Sequence, residues 1–444
     1  MLPFEGGEKG RGGGGGGSGK VAALLLAVLF LLGLLCSVSE GRIPPAQRKF
    51  TSVAVNELIA RYLPRFIDPE LGQLFENCLP NTLDTTVQYY NLTGTNPDAF
   101  IITGDIDAMW LRDSMNQVLP YVPFATQDKP LSLLLCGLIK RSVANVLWDP
   151  YANAFNYANE GGPNQGDTRK PPMTLHVYEG KYELDSLLAV LKLSYQYWNA
   201  TQSASCFDSA WLQAVTLIVN TMMVQQAGTE ETLANPPYLF ARQTTVATDT
   251  LMLQMQGPPA KRCGLVKTAF RPSDDATTLP FNIASNAMAV VELQHLSEML
   301  LALNLSPLLA KQALLLANTI QQAINSVGII GRTDVGRVYA YEADGFGSAL
   351  FMDDANLPSL LSLPYLGYVA REDPLYLNTR KLVLSAANPY FSSGTVAAGV
   401  GSPHTGLSYI WPMALIMQVP CIPQWLSSFL VPLSSSLLLL GHRH

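Results

Sequence analysis

Charged side chains are scarce in this sequence: Asp, Glu, Lys and Arg make up 14% of its 444 residues, and the formal net charge is -6. No run of Lys or Arg stands out, which argues against nucleic-acid binding because that function needs a basic surface. An acidic balance suits a neutral or cationic ligand. Hydrophobic residues reach 48%, which is enough for the core of one large domain.

Histidine and cysteine are also few. There are five histidines, two of them among the last three residues, and no CxxC or Cys/His spacing typical of a zinc site. We therefore predict no metal and no other cofactor. Of the six cysteines, Cys36 lies in an apolar run, so an odd number follows it and at least one of these stays unpaired.

The first 50 residues do not read as part of a folded domain. Residues 1–20 are a Gly-rich tail, residues 21–38 are an uninterrupted apolar or small run, and residues 39–50 form a short stem. The apolar run predicts a signal anchor with a cytosolic N-terminus; a cleaved signal peptide is the alternative, since residues 37–39 are small. Both interpretations send the following domain into the secretory pathway, either lumenal on an ER or Golgi membrane or secreted.

Three Asn-X-Ser/Thr sequons agree with a lumenal glycoprotein: they begin at Asn91, Asn199 and Asn304. The last sequon is followed by Pro307, so we expect it to be used poorly. Short sequons also arise by chance, and they support this compartment without proving it.

Helical spacing dominates the rest of the chain. Segments 131–148, 184–198, 209–226, 284–302 and 308–325 carry apolar residues at helical intervals, and no long alternating strand occurs. Asp208 and the pair Ser306-Pro307 mark helix starts. The pattern predicts an all-α domain of many helical hairpins, here residues 51–418, in which loops at one rim build a pocket.

Residues 103–114, TGDIDAMWLRDS, are the most informative segment. Burying three carboxylates and a guanidinium unpaired would cost a large desolvation free energy. The hydroxyl groups of a bound sugar would supply hydrogen bonds to them. The alternative is an Asp/Arg-rich surface turn. The candidate binding residues here are Asp105, Asp107, Trp110, Arg112 and Asp113.

A second segment, residues 270–288, contains the adjacent acids Asp274 and Asp275 after Arg271. Neighbouring like charges raise one pKa while an arginine lowers the other, which is how a carboxyl can stay protonated and act as a general acid. The structural alternative is that Ser273 or Asp274 caps the long apolar helix that follows.

Two more polar-aromatic loops precede apolar segments, at residues 341–368 and 392–418. A single histidine in such a loop is more often structural than catalytic, and each loop taken alone is weak evidence for a functional site. Together, the four segments predict one site assembled from several loops. The candidates in these two are Asp344, Asp353, Asn356, His404 and Trp411.

The motifs TGDIDAMWLRDS, FRPSDDAT, FMDDANLPSLL and GSPHTGLSYIWPMAL resemble glycoside hydrolase family 125, over roughly residue 50 to Gln418. The resemblance implies an (α/α)6 barrel and an exo-acting, inverting α-1,6-mannosidase of N-glycans or mannan that needs no metal. It also implies that the general acid is Asp275 or Asp274, of which we favour Asp275. The other candidates would hold the sugar, with Trp110 and Trp411 stacking on it and His176 facing the pocket. Glu179, in the same segment as His176, is interpreted from the sequence itself as a solvated acid in the first turn of a helix. We expect a monomer.

The sequence departs from the family near its end. The resemblance expects a general base, a Glu in a His-Glu-Ser segment after the IWPMAL helix, but residues 374–444 contain no Asp or Glu. Residues 419–444 form a Ser/Leu/Pro-rich tail, so we expect a barrel that is incomplete at its C-terminal helices. The alternative function is therefore a catalytically impaired glycan binder, or an isoform or gene-model artefact that lacks the base.

Overall fold

A computed structural model describes residues 41–93, 95–162 and 166–418. The Gly-rich tail at 1–20, the anchor or signal at 21–38 and the tail at 419–444 lie outside the described residues, as does the beginning of the stem. The predicted domain at 51–418 is described apart from the two short gaps.

The described chain is mainly helical, as expected. Its twelve α-helices are α1 Val53–Tyr62, α2 Pro69–Cys78, α3 Leu111–Val118, α4 Lys129–Trp148, α5 Leu184–Thr201, α6 Ser209–Val224, α7 Thr229–Thr232, α8 Met252–Met255, α9 Ile283–Ala302, α10 Pro307–Ala323, α11 Pro374–Val383 and α12 Pro412–Gln418. All five segments with helical spacing lie in helices, within two or three residues of the expected bounds.

Side-chain caps fix where several helices begin. Asp208 accepts hydrogen bonds from the N–H groups of Ala210 and Trp211 at the start of α6, and the Ser306 hydroxyl accepts one from Leu309 at the start of α10. These caps satisfy amides that have no partner within the helix. The capping alternative at residues 273–274 is wrong, because the cap of α9 is Asn282.

Two helices form the centre of the fold. Helix α5 is buried on all sides from Leu184 to Ser194, and α9 is buried over most of its length. Helices buried on all sides lie inside the domain, and the polar side chains that they carry are buried with them. Helix α5 packs on α3, α4 and α9, and α9 packs on α10, so the N-terminal ends of α3 and α5 come close together.

Strands are short and lie in the connections. They are β1 Val87–Asn91, β2 Asp98–Ile101, β3 Met109–Trp110, β4 Ala154–Phe155, β5 Thr168–Lys170, β6 Val177–Glu179, β7 Leu239–Ala241, β8 Phe281–Asn282, β9 Ile329–Arg332, β10 Gly336–Tyr339, β11 Glu342–Ala343, β12 Ala349–Leu350, β13 Phe391–Ser393 and β14 Ala398–Val400. Their pairings are all antiparallel.

Two three-stranded sheets tie distant loops together. The sheet β3-β4-β6 joins the TGDIDAMW loop to the segment before α5, and the sheet β12-β11-β8 joins the segment before α9 to residues 342–350. These pairings bring three of the four predicted loops toward the ends of α3, α5 and α9.

A disulfide between Cys136 in α4 and Cys206 before α6 links two packed helices. Cys78 and Cys263 are free. In the part of the chain that the structure describes, Lys129–Trp148 is the one helix that could cross a membrane by length and composition, and it is mostly buried in the fold like a core helix.

Candidate active site

Arg112 is the centre of the predicted site. It follows β3 as the second residue of α3 and is 8% exposed. Its guanidinium faces four carboxyls, at distances that rise in the order Glu183 (2.6 Å), Asp274 (3.2 Å), Asp185 (3.3 Å) and Asp113 (3.5 Å). One cation cannot neutralise four anions, so this cluster favours retention of a proton.

Glu183 is the most deeply buried of these carboxyls. It also accepts hydrogen bonds from the Ser186 hydroxyl at 2.7 Å and the Asn153 amide at 3.1 Å. Burial raises the pKa of Glu183 well above its ordinary value; Arg112 opposes that shift and Asp274 adds to it. In the first turn of α5, burial likewise raises the pKa of Asp185 to about 6, against the opposing effect of Arg112.

Asp274 is shifted the other way. Burial acts to raise its pKa, but Arg112, a hydrogen bond from Glu183 and Lys181 outweigh that effect, and the pKa falls well below its usual range. The cluster therefore favours the charged form of Asp274 and the protonated form of Glu183. Its side chain is 26% exposed, so the charge is open to a ligand.

The two adjacent acids point in different directions because the backbone turns between them. Asp274 has φ +68°, in the left-handed region. The turn is closed by hydrogen bonds from Asp274 N–H to the Arg271 carbonyl (2.9 Å) and from Arg271 N–H to the Asp275 carbonyl (2.8 Å). The Lys181 ammonium donates to the Asp274 carbonyl at 2.8 Å.

Asp275 faces His404 instead of Arg112. One carboxylate oxygen of Asp275 lies 3.5 Å from Nδ1 of His404, and the other accepts a hydrogen bond from the Ser273 hydroxyl at 3.2 Å. The interaction with Asp275 raises the pKa of His404, although burial acts to lower it. The Asp275 side chain is 3% exposed and the His404 ring 46%, so the histidine is the more exposed member of the pair.

Arg271 supports the turn from behind. Its guanidinium donates to both carboxylate oxygens of Glu342, at 2.6 Å and 3.1 Å, and Glu342 also accepts the N–H groups of Thr278 and Leu279. This buried pair holds residues 271–279 against β11. Its contacts are those of a support, and they leave Arg271 little capacity to bind a sugar.

A second layer of paired charges lies under the turn. Asn153 donates to Glu179 at 2.8 Å, and Arg242 donates to Glu179 at 2.8 Å and to both oxygens of Asp167. Lys181 lies 3.2 Å from Asp249. Glu179 is buried in β6, so its interpretation as a solvated first-turn acid is wrong.

The remaining residues of the TGDIDAMWLRDS motif spread from rim to core. Asp105 and Asp107 are exposed. Burial raises the pKa of Asp113 and Arg112 opposes that shift, while Asp274 and, more weakly, Asp105 add to it. Trp110 is 6% exposed and packs edge-to-face on Tyr178. Its ring is therefore mostly buried and leaves little surface on which a sugar could stack.

Three candidates from the 341–368 loop form hydrogen bonds with residues close to them in the fold. Asp344 accepts three N–H groups within its own turn, from residues 346–348. Asp353 accepts those of Leu360 and Leu361, and burial raises its pKa to about 7 against these bonds. Asn356 donates to Asp354 at 2.9 Å and to the Ser402 hydroxyl at 3.4 Å, and so links this loop to the His404 loop.

Two candidates lie further from the Arg112 cluster. His176 stacks on Trp148, with 3.7 Å between ring centroids, and no contact joins it to Asp274. The indole N–H of Trp411 donates to the Thr405 hydroxyl at 3.0 Å, next to His404. The structure thus brings together Arg112, Asp113, Asp274, Asp275 and His404, whereas Trp411 contacts the His404 loop at Thr405.

The main residues that sequence reasoning missed are Lys181, Glu183 and Asp185. A signal was present: in EGKYELDS the charged residues fall at every second position from Glu179 to Asp185. In extended chain that spacing places all of them on one face.

Known proteins resemble this chain in sequence and in fold. The family model described as metal-independent alpha-mannosidase (GH125) matches residues 68–422. The meiotically up-regulated gene 157 protein of Schizosaccharomyces pombe is 46% identical over 383 residues, which are 84% of this chain and 75% of that protein. A Streptococcus pneumoniae metal-independent alpha-mannosidase, solved in a non-productive substrate complex with alpha-1,6-mannobiose, matches with a TM-score of 0.78 and 39% identity, over 83% of this chain and 85% of that chain.

These matches also support the helical barrel-like fold expected for the chain. The family match covers most of the sequence and includes the Arg112, Asp274–Asp275 and His404 segments. The chain is a member of glycoside hydrolase family 125, the metal-independent alpha-mannosidases.

Proposed function

We propose that the chain acts on glycans as an exo-acting, inverting α-1,6-mannosidase. The observation that carries this proposal is the convergence of Asp274, Asp275, Arg112 and His404 from three segments of the chain. An ionised carboxylate and a guanidinium can hold the hydroxyls of one terminal mannose, and a second carboxyl can serve the leaving oxygen. The alpha-1,6-mannobiose complex of the S. pneumoniae protein supports this choice of linkage.

Within that mechanism we assign the general acid to Asp275. Arg112 and Lys181 favour the ionised form of Asp274 and lower its pKa against the effect of burial, whereas a general acid has to donate a proton. Asp275 lies away from Arg112, and its carboxyl shares a hydrogen bond with the half-exposed ring of His404. Asp274 then binds sugar hydroxyls as an anion, together with Arg112 and Asp113.

The second candidate is a glycan-binding protein without catalysis. Inversion needs a base that activates water on the opposite face of the sugar, about 6.5–9.5 Å from the acid. The resemblance expects this Glu after the IWPMAL helix, but the sequence from 374 onward has neither Asp nor Glu. The Arg112 cluster could still bind mannose in that case.

We further propose that the domain resides in the lumen of the secretory pathway, through the apolar segment at 21–38. The disulfide Cys136–Cys206 supports an oxidising compartment. Immunogold labelling of cells that express the full chain tests this location. Cytosolic labelling would contradict it.

Mannose release from α-1,6-mannobiose by the purified full chain tests the enzyme. Asp275→Asn should reduce the rate by about 10²- to 10⁴-fold. It should lose far less on an aryl α-mannoside, whose leaving group needs no protonation. Asp334→Asn, at an exposed turn, is the matched control and should match the wild type.

The outcomes separate the two functions. Release of α-mannose that mutarotates to β identifies retention and contradicts inversion. Mannobiose binding by calorimetry without any release favours the binder. If Asp274→Asn, and not Asp275→Asn, is the variant that an aryl leaving group rescues, the assignment of the acid is reversed.

A further inference from the structure

The three sequons differ in how the structure uses their hydroxyls. In the first, the side-chain oxygen of Asn91 accepts hydrogen bonds from both the N–H (2.9 Å) and the hydroxyl (2.6 Å) of Thr93. The Asn91 side chain is exposed at the end of β1. Its sequon is thus a compact surface turn in which the asparagine and the threonine face each other.

The other two sequons have different local structures. Asn199 lies in the last turns of α5, where the Thr201 hydroxyl donates to the Tyr197 carbonyl instead. Asn304 lies between α9 and α10, and the Ser306 hydroxyl caps α10. In both, the hydroxyl serves a helix and not the asparagine.

The pairing of β1 with β2 sets the direction of the Asn91 side chain. Asn91 is directly opposite Asp98, and directly paired residues project from the same face of an antiparallel pair. Asp98 forms an ion pair with Arg141 of α4. Tyr89, two residues before Asn91, contacts Tyr157 at 5.0 Å between ring centroids, and Arg141 lies over that same Tyr157 ring. Asn91 therefore projects on the face that adjoins α4.

A cleft of about 330 Å³ lies on that face, within the range typical of small-molecule sites. Its wall includes Asn96, Asp98, Lys140, Arg141 and Trp148. Arg141 and Trp148 are seven residues apart on α4, two turns or about 10 Å along the same face. The Trp148 indole is 37% exposed and stacks on His176. An aromatic ring flanked by polar groups is the surface on which a sugar ring packs.

We propose that Asn91 carries an N-linked glycan and that its first sugars pack over the Trp148 cleft. This inference rests on the proposed lumenal location. In the modifying reaction, the amide nitrogen of Asn91 bonds to the anomeric carbon of a lipid-diphosphate-linked oligosaccharide. The carbon–oxygen bond to the diphosphate breaks, the lipid diphosphate leaves with the electron pair, and the amide proton passes to a base of the transferase.

The proposal gives a place to features that the mannosidase site does not use. His176 and Trp148 lie outside the Arg112 cluster, yet their stacked rings present a platform at the surface. The cleft would hold the protein's own glycan, so Trp148 would stay covered.

The test is expression of the full chain in a eukaryotic secretory host, followed by glycopeptide mass spectrometry. We expect occupancy at Asn91, loss of that glycan in Asn91→Gln and Thr93→Ala, and retention in Thr93→Ser. Under native conditions, an amidase should release the Asn91 glycan at least threefold faster from Trp148→Ala than from the wild type. Leu314→Ala, an exposed substitution on α10, should leave the rate unchanged.

Each failure has a distinct meaning. Occupancy at Asn199 or Asn304 with an empty Asn91 overturns the site while leaving the lumenal location intact. No glycan at any sequon, together with cytosolic labelling, overturns both. Equal release rates from the wild type and Trp148→Ala overturn the packing of the sugars over the cleft. Mannobiose release is measured on the same samples, so these results stand apart from the fate of the enzyme proposal.

Discussion

Nη1 of Arg112 lies 2.6 Å from Oε2 of Glu183, which joins the start of α3 to the residue that precedes α5. The two residues are 71 positions apart in the chain. Both groups are buried, and Asp185 and Asp274 share the same guanidinium. The candidate site and the contact between α3 and α5 therefore depend on one side chain.

Replacement of Arg112 should consequently be costly. Arg112→Met leaves buried carboxyls without their cation, and loss of one partner of a buried pair costs about 3–5 kcal/mol. The measurement is the free energy of unfolding in urea. Arg332→Met, which breaks the exposed pair with Asp334, should cost about 1 kcal/mol or less. Equal losses in the two variants would contradict the central role of Arg112.

Glu183→Gln should be tolerated, because glutamine imitates the protonated acid. The raised pKa of Glu183 means that the folded protein binds a proton that the unfolded chain releases near pH 4.5. Stability from this group therefore falls as pH rises from that value toward the folded pKa. We expect Glu183→Gln to flatten this fall above the ordinary glutamate pKa in a denaturation series over pH. A steeper fall in the variant would show that Glu183 is ionised.

The His404–Asp275 pair should be visible in a histidine titration. Asp275 raises the pKa of His404, so the pair stabilises the fold below the ordinary histidine pKa. This contribution is lost as pH rises through the folded pKa. Asp275→Asn should lower the His404 pKa, measured by NMR of the ring protons. The resonances of His295, which pairs with Glu292, serve as the internal control, and an unchanged His404 curve would contradict the pair.

The disulfide should stabilise the domain measurably. It joins residues 70 positions apart, and loss of such a link costs about 2–5 kcal/mol. The double variant Cys136→Ser, Cys206→Ser should show this loss in chemical denaturation. Cys78→Ser, at an exposed free thiol, should not. A reducing agent should lower the stability of the wild type and of Cys78→Ser alike, and have no effect on the double variant.

The helices followed from the sequence because their signals are local. Asp208 and the Ser306-Pro307 pair mark helix starts that the structure reproduces. The start of α9 was harder to predict from the sequence. Asn282 caps this helix, and the acids at 274–275 belong to a separate turn. Apolar periodicity reports which face of a segment is buried but says little about how the preceding loop folds.

The site was only partly predictable. Arg112, Asp274, Asp275 and His404 meet as the motifs suggested, whereas Asp344 and Asp353 bond to their own backbone. A carboxylate that caps a turn and one that awaits a ligand look alike in sequence, because the difference lies in which N–H groups the fold brings near. Glu183 was missed because its partner, the guanidinium of Arg112, is 71 positions away in the chain.

The left-handed backbone at Asp274 has an evolutionary implication for this position. Asparagine, aspartate and glycine enter that region at low cost, whereas a β-branched residue does so only with strain. Drift at residue 274 is thus confined to a few small residues whatever the ligand requires. A lineage that abandoned catalysis would be expected to replace the carboxylate there by Asn or Gly before any bulkier side chain.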